Sequence, residues 1–320
     1  MADELRFDDR VAIVTGAGRG LGRSHALLLA ARGAKVVVND LGCSREGDGS
    51  SREPADGVVA EIRAAGGTAI ANYSDVSLPA GGETVVSDAL QAFGQVDVVI
   101  ANAGIYQYPQ RPFEQTSFET LERELRSHVG GTYNVLRAAW PHMKARGYGR
   151  IVTTGSSVGI YGMARCPEYS AAKGGVHALT LALSHEGAEH GIHVNSIGPG
   201  AVTRMAADIF EDEASAELTR RHMRPEVVSP GVAWLAHESC TSTGGIFQIH
   251  GSRAARVALG EPPGFWDAEM TPETLRDNFD RVDTTEGLMF NDNTLQLFEW
   301  ITTQAEQRAG RTPSVIRRRR

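Results

Sequence analysis

Seven short runs of aliphatic and β-branched residues limit what this chain can fold into: VAIVTG (11–16), KVVVND (35–40), TAIANY (68–73), VDVVIANAG (96–104), RIVTTGS (150–156), IHVNSIG (192–198) and GIFQIHG (245–251). Most are continuously apolar, as strands are when both faces of a parallel sheet are covered. Between them lie Ala- and Leu-rich stretches such as GRSHALLLAARG and VHALTLALSHEGAEHG, whose periodicity suits packing helices. Strands alternating with helical crossovers predict an α/β fold with a doubly wound, parallel, seven-stranded sheet and helices on both faces.

Two stretches break the rhythm. Residues 42–56, GCSREGDGSSREPAD, are polar and rich in Gly and Ser, and read as a flexible insertion after the second strand. Residues 252–320 follow the last run, are less apolar, and carry helical fragments near 271–280 and 292–307 before a basic RRRR tail. The expected division is therefore 1–251 for the sheet domain and 252–320 for a helical extension that lines either the substrate mouth or a subunit interface. The formal net charge of −7 and pI near 5.8 argue against general nucleic-acid binding. No apolar run reaches the roughly 20 residues that span a bilayer, so no membrane role is expected. The cysteines (Cys43, Cys166, Cys240) are few and dispersed, which fits a reducing compartment and no metal site. With a polar N-terminus and an RRRR end unlike a peroxisomal tripeptide, the expected location is cytoplasmic.

The first strand runs directly into TGAGRGLG (15–22) and then a helix. Glycines 16, 20 and 22 let the backbone turn tightly and approach a pyrophosphate over the helix N-terminus, the Rossmann-like arrangement. Asp40 closes the second strand, 18 residues after Gly22. A carboxylate there accepts hydrogen bonds from the adenosine ribose and repels a 2′-phosphate, which selects NAD over NADP. Arg19 is the opposing signal, since a guanidinium in the glycine loop suits that phosphate. Asp40 weighs more, because its charge would lie close to the phosphate.

EYSAAKG (168–174) sets Tyr169 and Lys173 on one helical face. A free phenol ionises near 10 and is a poor base at neutral pH. An ammonium about 4 Å away would stabilise the phenolate by up to ~4 kcal/mol, or roughly three pK units. Tyr169 could then accept a substrate hydroxyl proton while hydride leaves the same carbon.

These residues together resemble the short-chain dehydrogenase/reductase family, whose glycine motif is T-G-x(3)-G-x-G. SDVS, ANAG (101–104, with Ala101 in place of the family's first Asn) and NSIGPGAVT (195–203) follow in the family's order. The resemblance implies nucleotide contacts from Gly16, Arg19, Gly20, Leu21, Asp40, Asp75, Val76, Asn102, Gly104, Tyr169, Lys173, Val202 and Thr203. It also implies Ser156, 13 residues before Tyr169, as the catalytic serine that holds the substrate oxygen; Ser157 is the alternative. Where the family usually has an Asn that holds a relay water, RSHVGGTYN places His128, either a packed histidine or a member of the proton relay.

His128, with RAAWPHMK (137–144), GIYG (159–162) and MTPETLRDNF (270–279), is similar to the family's (3R)-hydroxyacyl-CoA dehydrogenase branch, that of peroxisomal multifunctional enzyme type 2. This implies NAD-dependent oxidation of a secondary alcohol on a 3-hydroxyacyl thioester or steroid-like substrate, and a homodimer or homotetramer built on 116–145 and 169–189. The loop after Gly104, IYQYPQRPFEQ, is bulkier than that branch's. Residues 204–224 read as a substrate lid offering Met205, Ile209 and Phe210, while Arg111, Arg220 and Arg221 are candidate CoA-phosphate ligands. A reductase of small carbonyls or quinones uses the same site in reverse. A non-catalytic NAD-binding protein has no physical need for Ser156, Tyr169 and Lys173 together.

Overall fold

The computed structural model describes residues 4–106, 110–201, 213, 217, 221–251 and 253–311. The seven apolar runs form β1 (Val11–Thr15), β2 (Lys35–Asn39), β3 (Thr68–Asn72), β4 (Val98–Ala101), β5 (Gly149–Thr154), β6 (Ile192–Gly200) and β7 (Ile246–His250). Their order is β3-β2-β1-β4-β5-β6-β7, parallel throughout. An eighth strand, β8 (Arg253–Val257), lies beside β7 at the edge. The sequence pattern misses it because RAARV is largely exposed and has no apolar face to bury.

Both faces of the sheet are covered, which explains the uninterrupted Val/Ile runs. Ala12, Val14, Val36, Val38 and Ile100 face one core, which includes Leu29 of α1 (Gly20–Ala31) and Ile62 of α2 (Glu53–Ala64). Alternate residues Val11, Ile13, Val37 and Val99 face the other. They pack with Val85 of α3 (Pro79–Phe93) and Leu136 of α5 (Gly131–Arg146). Ahead of α5 run α4 (Phe118–Leu125) and one turn of π-helix, Arg126–Gly130. The short α6 (Val158–Tyr161), the long α7 (Pro167–Ala188) and α8 (Ser229–Ala236) complete this part of the chain. Because β1 pairs with both β2 and β4, the crossovers part there and open a crevice beyond their C-terminal ends.

Residues 42–52 are tied down more than their composition implies. Ser44 and Ser51 donate backbone hydrogen bonds to Asp48 and Leu41, Tyr106 donates to the Arg45 carbonyl, and Arg123 reaches the Glu46 carbonyl at 2.9 Å.

The chain divides into two compact units, 1–256 and 257–320. In the second, α9 (Pro272–Asp277) and α10 (Thr294–Arg308) fall on the expected helical fragments. This unit has little interior; Trp266 meets Trp300 edge to face at 5.8 Å, and Phe279, Phe290 and Phe298 are exposed.

Candidate active site

At the crevice, the chain leaves β1 through Gly16 and Gly20, both at positive φ (61° and 53°). A Cβ on Gly16 would lie 2.8 Å from the Ala103 Cα, and one on Gly22 would drive into the Gly16 carbonyl. The turn after β1 and the segment after β4 thus approach to backbone distance. Asn102 locks them together, donating from Nδ2 to the carbonyls of Thr15 (2.9 Å) and Gly16 (3.2 Å). Arg19 gives α1 no side-chain cap, and Leu21 packs half-buried against the core below. The first N–H groups of α1 therefore remain for an anion.

Asp40 stands at the end of β2, its Oδ2 accepting from the Gly18 N–H and its Oδ1 from the Gly42 N–H, each at 2.7 Å. It caps this turn, and each carboxylate oxygen keeps a further lone pair. Gly18 is a glycine that sequence reasoning passed over: a Cβ there would meet the Asp40 carboxylate at 2.8 Å. Arg19 is exposed. Asp75 accepts from the Ser77 N–H (2.9 Å), while Val76 is buried and its carbonyl is held by Asn134 at 3.0 Å. Val202 and Thr203, with most of the expected lid including Met205, Ile209, Phe210 and Arg220, lie outside the described residues.

The candidate catalytic side chains come from the end of β5 and from α7. Residues 169, 173, 177, 180 and 184 share one helical stripe; Lys173, His177 and Thr180 find partners on or just beyond the strands, while Ser184 donates to Leu181 of its own helix. Lys173, 4% exposed, donates to the Thr154 carbonyl at 2.7 Å. Thr180 meets Thr153 at 2.7 Å. His177, one turn beyond Lys173, contacts the backbone of Ser156 through Nε2 and Ser196 Oγ through Nδ1. Ser156 is half-buried at the end of β5 and its Oγ accepts from the Val158 N–H at 3.1 Å, whereas Ser157 is exposed. Lys173 Nζ stands 5.5 Å from the Tyr169 ring centroid.

His128 is buried against this pair. Its ring meets Tyr169 edge to face at 5.3 Å, and Tyr106 does the same from another side. A Cβ on Gly104 would overlap that imidazole, with Nδ1 only 2.6 Å away. Glu124, one turn earlier and 1% exposed, places Oε2 3.0 Å from His128 Nε2. Sequence reasoning missed Glu124, although its i,i+4 spacing to His128 was visible. Tyr106 carried no local signal.

The Tyr169 phenol departs from the sequence expectation. Instead of being lowered by Lys173, its pKa is pushed up, first by burial and then by the Glu124 charge; the hydrogen bond from Ser156 opposes this. Burial also brings Lys173 down to about 8, against the opposing pull of Glu124. In the protein alone, desolvation is the largest influence on the phenol. A cavity of about 150 Å³ opens against Tyr169, its wall including Gln110, Arg111, Thr116, Glu124, Arg165 and Cys166.

Glycines that no Cβ can replace, the uncapped start of α1 and a carboxylate at the end of β2 fit a nicotinamide dinucleotide. The family model of short chain dehydrogenases matches residues 10–214, and the chain belongs to that family of oxidoreductases. It is 44% identical over 286 residues to the peroxisomal multifunctional enzyme type 2 of Mus musculus, a match spanning 88% of this chain and 38% of the mouse protein. The solved full-length peroxisomal multifunctional enzyme type 2 of Drosophila melanogaster superposes with a TM-score of 0.77 at 32% identity, over 95% of this chain and 50% of that one. A 7α-hydroxysteroid dehydrogenase solved with NADH and 7-oxo glycochenodeoxycholic acid gives 0.70 at 25% identity, over 80% and 99% of the two chains. This chain thus spans half or less of these two multifunctional relatives.

Proposed function

We propose that this chain is an NAD-dependent dehydrogenase that oxidises a secondary alcohol to a ketone, with Tyr169 as general base. The observation that carries the reading is the convergence of Tyr169, Lys173 and Ser156 on one side of a crevice whose other side ends in Asp40. NAD⁺, which the glycine turn and Asp40 would hold, would supply the hydride acceptor and a positive charge for the phenol. Ser156 Oγ holds the substrate oxygen, Tyr169 Oη takes its proton, and Lys173 draws that proton onward while keeping the phenolate compensated. Asp40 would receive the ribose hydroxyls of the cofactor and repel a 2′-phosphate.

A 3-hydroxyacyl thioester or steroid-like alcohol is the substrate class supported by the multifunctional relatives and the hydroxysteroid dehydrogenase. The polar 150 Å³ cavity beside Tyr169 favours a second reading, a reductase of small carbonyls or quinones. We assign the protein to the cytoplasm on its dispersed, unbridged cysteines, although the relatives are named as peroxisomal. We assign it a homodimer or homotetramer on the outer faces of 116–145, where Phe118 and Tyr133 are exposed, and 169–189.

Turnover of a 3-hydroxyacyl-CoA, a hydroxysteroid and small alcohols, each with NAD⁺ and NADP⁺, tests the reading. NAD⁺ is expected to be favoured roughly a hundredfold in kcat/KM, and Asp40→Ala to erode that ratio at least tenfold. A preference for NADP⁺ sinks the Asp40 assignment, and turnover of small carbonyls alone selects the second reading.

A further inference from the structure

The buried carboxylate of Glu124 has no place in the chemistry described so far, yet it stands directly behind Tyr169. The helix containing it makes one turn of π-helix at Arg126–Gly130, which swings His128 inward; such turns often sit at functional sites. Two acceptors then converge on a single nitrogen. Nε2 of His128 lies 2.9 Å from the Ile105 carbonyl and 3.0 Å from Glu124 Oε2. A carbonyl oxygen accepts only, so Nε2 carries the hydrogen and Nδ1 is left as the bare acceptor. That Nδ1 is fully buried and has no hydrogen-bond partner among the described residues. It lies over Gly104, where any side chain would displace it.

We propose that Glu124 is a positioning residue for proton release, fixing His128 as the Nε2–H tautomer so that Nδ1 can take the proton that Tyr169 and Lys173 hand on. The proposal rests on the dehydrogenase reading. The substrate hydroxyl proton goes to Tyr169 Oη, and an equal proton must leave the site. Nδ1 accepts it, the imidazole becomes imidazolium, and the Glu124 carboxylate supplies the countercharge. After the ketone leaves, the proton returns by the same path to Tyr169, which lines the cavity, and passes to solvent there, which restores the neutral Nε2–H imidazole. The titratable groups facing this pair are Tyr169 and Lys173 of α7, Cys166 just before it, and Tyr106 after β4. Burial and Lys173 hold the imidazole neutral at rest, and Glu124 pulls the other way.

The test combines kinetics with ¹⁵N NMR of His128 in the intact protein, with NADH binding as the folding control. Glu124→Gln is expected to lower kcat roughly ten- to a hundredfold, with the KM for NAD⁺ within twofold of wild type. Losing the carboxylate charge relaxes the upward push on Tyr169, so the rise of oxidation rate with pH moves to lower pH. In a His128→Asn background the same substitution should add less than a twofold loss. Unchanged kcat in Glu124→Gln, or an equal loss in both backgrounds, overturns the proposal. So does an NMR spectrum of the resting protein showing His128 as the Nδ1–H tautomer. The NMR arm needs no turnover, so a wild-type protein that oxidises no alcohol refutes the dehydrogenase reading separately.

Discussion

The two sides of the crevice are built on opposite principles. On the β1–β2 side the site consists of side chains that are missing: Gly16, Gly18 and Gly22 each sit where a Cβ would strike backbone or the Asp40 carboxylate. On the β5–α7 side it consists of polar side chains buried where apolar ones would ordinarily pack, among them Lys173, His177 and His128 with Glu124. The first side offers shape, backbone N–H groups and the fixed Asp40 carboxylate, with no proton to move. The second holds titratable groups in a place that penalises charge, which puts Lys173 within reach of neutral pH. Binding and chemistry are thus separable, and substitutions on the two sides should show in different constants.

The sharpest division comes from Tyr169→Phe. Removing one oxygen leaves the ring in place against His128 and Tyr106, so NADH affinity should stay within threefold. Loss of the general base should cost at least roughly a thousandfold in kcat. Stopped-flow turnover with fluorescence titration of NADH checks both; retained turnover removes Tyr169 from the mechanism. In the wild type, oxidation should rise with pH above neutrality, because the base form is needed and burial pushes the phenol upward.

A paired experiment comes next. Gly22→Ala forces a methyl into the Gly16 carbonyl, and backbone cannot step aside cheaply, so NADH affinity should fall roughly a hundredfold. Ser156→Ala should cost a similar factor, but in kcat, since it removes a donor that holds the developing charge on the substrate oxygen. If both losses appear in the same constant, the two sides do not act separately.

The same contrast explains what the sequence discloses. Backbone-built features are legible because glycine is chosen for what it lacks, and TGAGRGLG and ANAG announce close approach wherever they fall. The continuous Val/Ile runs were legible for a similar reason, both faces of each strand being buried. Partners of buried polar groups are set by packing between distant segments. Nothing near Tyr106 marks it as a neighbour of Tyr169, 63 residues away. Nor does a helix-spaced Tyr–Lys pair disclose that burial pushes the phenol up. β8 was invisible for the reverse reason, being a strand with no core to declare it.

Gly104 joins the two sides, and its substitution is the most discriminating of the smaller effects. Asn102 and Ala103 just before it are bonded to Thr15, on the nucleotide side, while Gly104 itself faces the His128 imidazole. In Gly104→Ala the methyl meets a ring that has nowhere to go. Nε2 is held by the Ile105 carbonyl and Glu124, and an edge is set against Tyr169. The strain must pass to Tyr169, so kcat should fall about tenfold while NADH affinity stays within threefold, because the bonds to Thr15 lie one residue upstream. Asparagine is smaller than histidine, so Gly104→Ala should cost less than twofold when added to His128→Asn. An equal fall in kcat and NADH affinity would mean that ANAG moves as one body, and that the boundary between binding and chemistry lies elsewhere than at this glycine.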